Sequence, residues 1–137
     1  MPGSLKCNVC GYENEAAIIS FDIENSQGNH ERLYLLQCDQ CRAFSVAIWE
    51  DAWTGGKEYW YFLGPYTAQR AEVIFLIFMS CRHYKDCDCE IHQAVYDWLE
   101  PFGKRIPIFE RTELIEKIRA NPDHSDWQKE WSRVVLT

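Results

Sequence analysis

The chain has 137 residues, 47% hydrophobic and 15% aromatic, which is material for one packed core and too apolar for a disordered segment. Its formal net charge of −7 disfavours non-specific binding to phosphate backbones. No basic segment followed by an apolar run opens the sequence, and the longest apolar run, Val73 to Met79, is far shorter than the roughly 18 residues a membrane helix needs. A soluble, cytoplasmic protein with no membrane contact is the expectation. Seven cysteines, an odd number, without an export segment fit metal thiolates in a reducing compartment better than a disulfide framework.

Two CxxC pairs dominate the first part of the chain, Cys7-Asn8-Val9-Cys10 and Cys38-Asp39-Gln40-Cys41. That spacing lets both sulfurs of a tight turn point inward, so two such turns brought together make a tetrahedral four-thiolate site. The intervening chain must double back to bring them together. Residues 16 to 23 place Ala17, Ile19, Phe21 and Ile23 on one face, residues 31 to 37 form a second β-rich run, and Asn25-Ser26-Gln27-Gly28-Asn29 between them has the composition of a turn. A hairpin over these residues delivers Cys38 beside Cys10.

The set Cys7-Asn8-Val9-Cys10-Gly11 with Cys38-Asp39-Gln40-Cys41 resembles the paired knuckles of the zinc-ribbon and rubredoxin-like group over about the first third of the chain. Arg42 occupies the position where a second knuckle glycine is usual, and the hairpin replaces the proline-rich loop of rubredoxin. The resemblance implies a metal on Cys7, Cys10, Cys38 and Cys41, with zinc ahead of iron. Many zinc ribbons act on nucleic acid, a role that the acidic charge argues against here.

Phe44, Val46 and Ile48 then alternate as a third strand, Glu50 to Gly56 read as a loop, and Lys57 to Leu63 read as a fourth strand that Gly64-Pro65 ends. Residues 67 to 80 carry an apolar run with no clear period. A buried helix is the reading, with a hidden central strand as its rival. Ile91, Ala94, Val95, Trp98 and Leu99 share one helical face over 90 to 99, and Leu114, Ile115 and Ile118 share another over 112 to 120. Ser125-Asp126-Trp127-Gln128 matches a capping box opening a last helix with Trp127, Trp131, Val134 and Val135 on its apolar side. The expected fold is α+β: a zinc-ribbon-like antiparallel sheet of about four strands, then three or four helices packed on it. The whole chain, 1–137, is expected to be one domain, with a metal-knuckle sheet part over 1–64 and a mainly helical part over 65–137.

The remaining three cysteines cluster at Cys81, Cys87 and Cys89, and His92 completes a set of three thiolates and one imidazole that zinc accepts, with His83 as an alternative ligand. The spacing matches no diagnostic pattern, so clustered free thiols are the competing reading. No nucleophile elbow, phosphate loop or dinucleotide fingerprint occurs. Two acidic blocks, Glu13, Glu15, Asp22, Glu24 and Glu31, then Asp86, Asp88, Glu90, Asp97 and Glu100, are either solvated faces or a surface that steers a basic partner. Aromatics crowd the third and fourth strands, where Tyr59 and Tyr61 cannot share a face with Trp60 and Phe62. Glu13, Glu15, Asp86, Asp88, Glu90, Trp53, Tyr59 and Tyr61 are the candidate partner-binding residues. The functional expectation is a non-catalytic, zinc-stabilised protein-binding module, of which an inhibitor or immunity-type protein acting on a basic partner is one form. A rubredoxin-like electron carrier or metalloenzyme and a nucleic-acid-associated regulator are the alternatives.

Overall fold

The computed structural model describes residues 5–24, 30–52, 57–81, 87, 89–99, 109–120 and 126–134. The alternation of the first half of the chain builds an open antiparallel meander in spatial order: β1 (Ile19–Glu24), β2 (His30–Gln37), β3 (Phe44–Ala52) and β4 (Lys57–Tyr66). Four helices follow: α1 (Ala68–Ser80), α2 (Glu90–Leu99), α3 (Arg111–Ala120) and α4 (Trp127–Val134). This is the α+β arrangement read from the sequence. Two-residue periodicity decides which face is dry, because Ile19, Leu35, Val46 and Leu63 fall in one cross-strand row and Phe21, Leu33, Ile48 and Tyr61 in the next. Both rows belong to the core that the helices cover.

Two strand boundaries differ from the expectation. Glu50, Asp51 and Ala52 continue β3 instead of opening a loop, since each still finds a partner across the ladder. Gly64-Pro65 does not end β4, which runs on to Tyr66. A register shift lies between Phe44 and Val46 of β3, so Gly64 and Pro65 together face Ser45, as a bulge. An edge strand tolerates proline at such a point. Gly64 is required there: its φ is +115°, and a Cβ would lie 3.2 Å from Ser45 Cα and 3.3 Å from the Phe44 carbonyl oxygen.

The ambiguous segment 67 to 80 is helical, which retires the strand alternative. Thr67 caps α1 by accepting the Arg70 amide at 3.2 Å. The helix is apolar on all sides because the sheet covers one side while α3 and α4 cover others, leaving every residue from Ile74 to Ser80 buried. Full burial of side chains such as Phe75, Phe78 and Leu33 contributes about 1.5–3 kcal/mol each. In α4, Asp126 supplies the cap through Lys129 N–H at 3.2 Å, and Trp131 packs on Phe75 and Phe44 with ring centroids at 5.2 and 5.8 Å. Ser125, expected to cap this helix, lies outside the described residues, as do the turn 25–29, Trp53, His83, Asp86, Asp88, Glu100 and Val135. Among the described residues no helix is long and apolar enough to cross a membrane.

Candidate metal centres

The two CxxC turns have the same backbone wiring. In the first, the Gly11 N–H donates to the Cys7 carbonyl at 3.1 Å and the Cys7 N–H to the Tyr12 carbonyl at 2.9 Å. In the second, the Arg42 N–H donates to Cys38 O at 2.9 Å and the Cys38 N–H to Ala43 O at 2.9 Å. Amides also point at the sulfurs, from Val9 to Cys7 at 3.3 Å and from Gln40 and Cys41 to Cys38 at 3.4 and 3.5 Å. Such donors stabilise a thiolate. Each turn then needs a residue with positive φ to leave it, and the two positions are Gly11 at +78° and Arg42 at +68°. Arg42 adopts the left-handed conformation that glycine takes at no steric cost.

Asn14 joins the turns. Its side-chain oxygen accepts the Asp39 N–H at 2.9 Å, while its amide nitrogen donates to Leu5 O at 3.2 Å. The Asn8 side chain donates to Gly64 O at 2.8 Å and ties the first turn to the β4 bulge. Neither asparagine is visible as a site residue in the sequence. The only cue is position, within or shortly after a CxxC turn.

These contacts gather Cys7, Cys10, Cys38 and Cys41 so that all four sulfurs lie within 4.8 Å of one another, with Cys7–Cys41 at 3.5 Å and Cys10–Cys38 at 3.6 Å. None is in a disulfide. A tetrahedron of sulfurs about 2.3 Å from a central zinc has edges of about 3.8 Å, so the cage matches a metal-sized space. Its electrostatics call for a cation. Burial opposes ionisation of Cys38, but amide donors from Cys41 and Gln40 and bonds from the neighbouring thiols outweigh it and bring its pKa down to about 6. At Cys41 the Ala43 amide favours the thiolate, yet burial and the sulfurs of Cys7, Cys10 and Cys38 push the pKa up to about 12. At Cys10 the Tyr12 amide is likewise overcome by burial and Cys38, and the pKa is raised. One thiolate at this spacing suppresses the next, and a bound cation relieves that repulsion.

The second group is assembled differently. Cys81 ends α1 in extended conformation, Cys87 and Cys89 come from the connection, and His92 lies in the first turn of α2. The ligand atoms of Cys81, Cys87, Cys89 and His92 also lie within 4.8 Å of one another. Cys81 and Cys87 sulfurs are 3.6 Å apart and Cys89 Sγ is 3.3 Å from His92 Nδ1. Cys89 caps α2: its carbonyl accepts the Gln93 amide at 3.0 Å and its sulfur accepts the His92 amide at 3.4 Å. His92 Nε2 lies 3.2 Å from the Asp22 carbonyl of β1. A carbonyl can only accept, so Nε2 carries the proton and, in the neutral ring, the Nδ1 lone pair faces the sulfurs. That is the tautomer a metal ligand needs, held by the outer hydrogen bond that metal-bound histidines use. The ring is further fixed against Phe21, with centroids 4.6 Å apart. His92 is 4% exposed.

Both groups of four could therefore bind a metal ion. The proposed partner-binding residues are more scattered. Glu13 and Glu15 are exposed beside the first turn, Glu90 pairs with Lys117, Tyr59 is 43% exposed, and Tyr61 is half-buried on the helix-covered face. Burial, then the neighbouring Glu50 carboxylate, raises the Tyr61 pKa. The first acidic block does not form one solvated face: Glu31 is buried, and Asp22 accepts from Arg32 Nε and lies against His30 Nε2, each at 2.7 Å. Comparisons of the chain with protein-family models, with curated proteins and with solved structures each gave no match.

Proposed function

We propose that this chain is a zinc-stabilised, non-catalytic binding module whose two metal centres staple the fold around a surface that holds a protein partner. The observation that carries the reading is closure. Each group offers four protein ligands, all cysteine in one and three cysteines with a histidine in the other, and a catalytic zinc keeps a position free for water or substrate. The centres also sit where a staple is useful. The first holds the start of the chain against the β2–β3 connection, and the second joins the end of α1 to the start of α2 and, through His92, to β1. The net charge of −7 makes a basic protein the favoured partner, and an inhibitor of such a protein is one concrete form of the module.

Cobalt substitution tests the closure. With both centres closed, the cobalt-loaded protein shows thiolate charge-transfer bands and tetrahedral d–d absorption that added azide or cyanide leaves unchanged. Bands that move with azide would mean an open position and would turn the reading toward a metalloenzyme. Reversible reduction of the protein as isolated, with visible colour, would instead identify iron and an electron carrier.

A further inference from the structure

The helices cover one face of the sheet, and the opposite face carries its own aromatic cluster. In register across β1 to β4, Asp22, Arg32, Trp49 and Trp60 form one row and Ser20, Tyr34, Ala47 and Phe62 the next. Tyr34 and Trp60 stack with centroids at 6.1 Å, and Trp60 and Phe62 at 6.3 Å with rings within 13° of parallel. Trp49 continues the patch, edge-on to His30 at 5.4 Å. Tyr34, Trp49, Trp60 and Phe62 are only half-buried, whereas Phe21, Phe75 and Phe78 under the helices are buried. Half-buried rings gathered on one face of a sheet, here over β2, β3 and the edge strand β4, fit a contact surface.

At the end of the patch nearest Trp49 and Trp60 the bordering charges are acidic, while Arg133 lines the cavity at its Tyr34 end. The next row of the same face is Glu24, His30, Asp51 and Glu58. Among the described residues, Glu24, Asp51 and Glu58 make no ion pair, while Arg32, the one arginine on this face, is neutralised by Asp22 at 2.7 Å. A cation laid on the face meets ring faces on one side and unpaired carboxylates on the other, a combination that favours Lys and Arg side chains. The same carboxylates repel a phosphate backbone, although a stack of rings would otherwise suit single-stranded nucleic acid.

We infer that this outer face, centred on Trp60 and bordered by Glu24, Asp51 and Glu58, is the docking surface for a lysine- or arginine-rich segment of a partner protein. The inference rests on the binding-module reading and gives it a location. It differs from the residues favoured by sequence, because β4 turns Trp60 and Phe62, not Tyr59 and Tyr61, to the side away from the helices.

The test uses the full-length, metal-loaded protein, isotope-labelled, with three probes: an eight-residue peptide alternating Arg and Leu, the same peptide with Glu in place of Arg, and a single-stranded oligonucleotide of eight thymidines. The Arg peptide should shift the indole N–H signals of Trp49 and Trp60, with affinity falling about tenfold in Trp60→Ala and roughly threefold in each of Asp51→Asn and Glu58→Gln. Glu58 is exposed and Asp51 half-buried, and among the described residues neither makes an ion pair, so the two charge variants remain informative where Trp60→Ala perturbs folding. Arg-peptide binding that shifts other residues and ignores all three variants overturns the location while leaving the binding-module reading standing. Equal or tighter binding of the oligonucleotide or the Glu peptide at this face overturns the partner class. Absence of any Arg-peptide binding by protein with both metals in place overturns the inference. Failure of the module reading shows separately, as cobalt bands that respond to azide.

Discussion

The two cysteine groups reach the same local geometry by opposite routes. In the first, each half of the site is a self-contained turn with its own amide-to-sulfur bonds, and the sheet needs only to bring the halves together. In the second, no half exists alone: a helix end, a connection and a helix start converge, and β1 orients the one imidazole. A site made of local turns announces itself in sequence spacing, whereas a site made by tertiary packing does not. Metal at the first should be coupled to formation of the sheet, and metal at the second to docking of α2 on β1.

The sharpest way to break this contrast is to remove the first site. Cys38→Ser with Cys41→Ser should abolish the cooperative thermal transition or lower its midpoint by tens of degrees, because structural zinc contributes on the order of 10 kcal/mol to folding of the segments it joins. A melting curve unchanged in circular dichroism would remove the structural role. Cys87→Ser with Cys89→Ser should be milder in reach: amide exchange in β2 and β3 stays slow while α2 amides lose protection. Equal loss of protection everywhere would mean that the two centres form one cooperative unit.

Smaller changes separate the routes further. Asn14→Ala removes the bridge between the two knuckle turns and leaves the Asp39 amide without its acceptor, a loss of about 1–3 kcal/mol read by denaturant unfolding. Gly64→Ala forces a Cβ against the β3 backbone at positive φ and should cost about 1–3 kcal/mol. Arg42→Gly should act in the opposite direction, stabilising the second turn by up to about 1 kcal/mol, since glycine relieves the left-handed backbone there. A destabilised Arg42→Gly variant would show that the arginine side chain contributes more than its backbone costs.

The sheet and the first site were legible because each depends on short-range pattern. Strict alternation at Phe44, Val46 and Ile48 and CxxC spacing at two points determine which atoms face inward, and the structure follows both. The end of β4 was not legible. Gly64-Pro65 stops a central strand, but the sequence does not say that β4 lies at the edge or that Ser45 would sit opposite a bulge. The apolar run at 73 to 79 resisted for a related reason, since complete burial erases the period that separates helix from strand. At the second centre, the sequence supplied the ligand types while the deciding feature, the Asp22 carbonyl that sets the His92 tautomer, lies 70 residues away. Which side of β4 the helices take was open for the same reason: alternation separates Tyr59 and Tyr61 from Trp60 and Phe62, and only the placement of the helices shows that Tyr61 packs on the core while Tyr59, on the same side, stays 43% exposed.

Metal stoichiometry tests the two-centre account most directly. Elemental analysis of the wild type, of Cys38→Ser with Cys41→Ser, and of Cys87→Ser with Cys89→Ser should give two zinc ions per chain in the wild type and one in the Cys87/Cys89 variant, with the Cys38/Cys41 variant losing at least its own ion. One ion in the wild type and still one in the Cys87/Cys89 variant would contradict it, leaving residues 81 to 92 as a cluster of free thiols beside a single four-thiolate site.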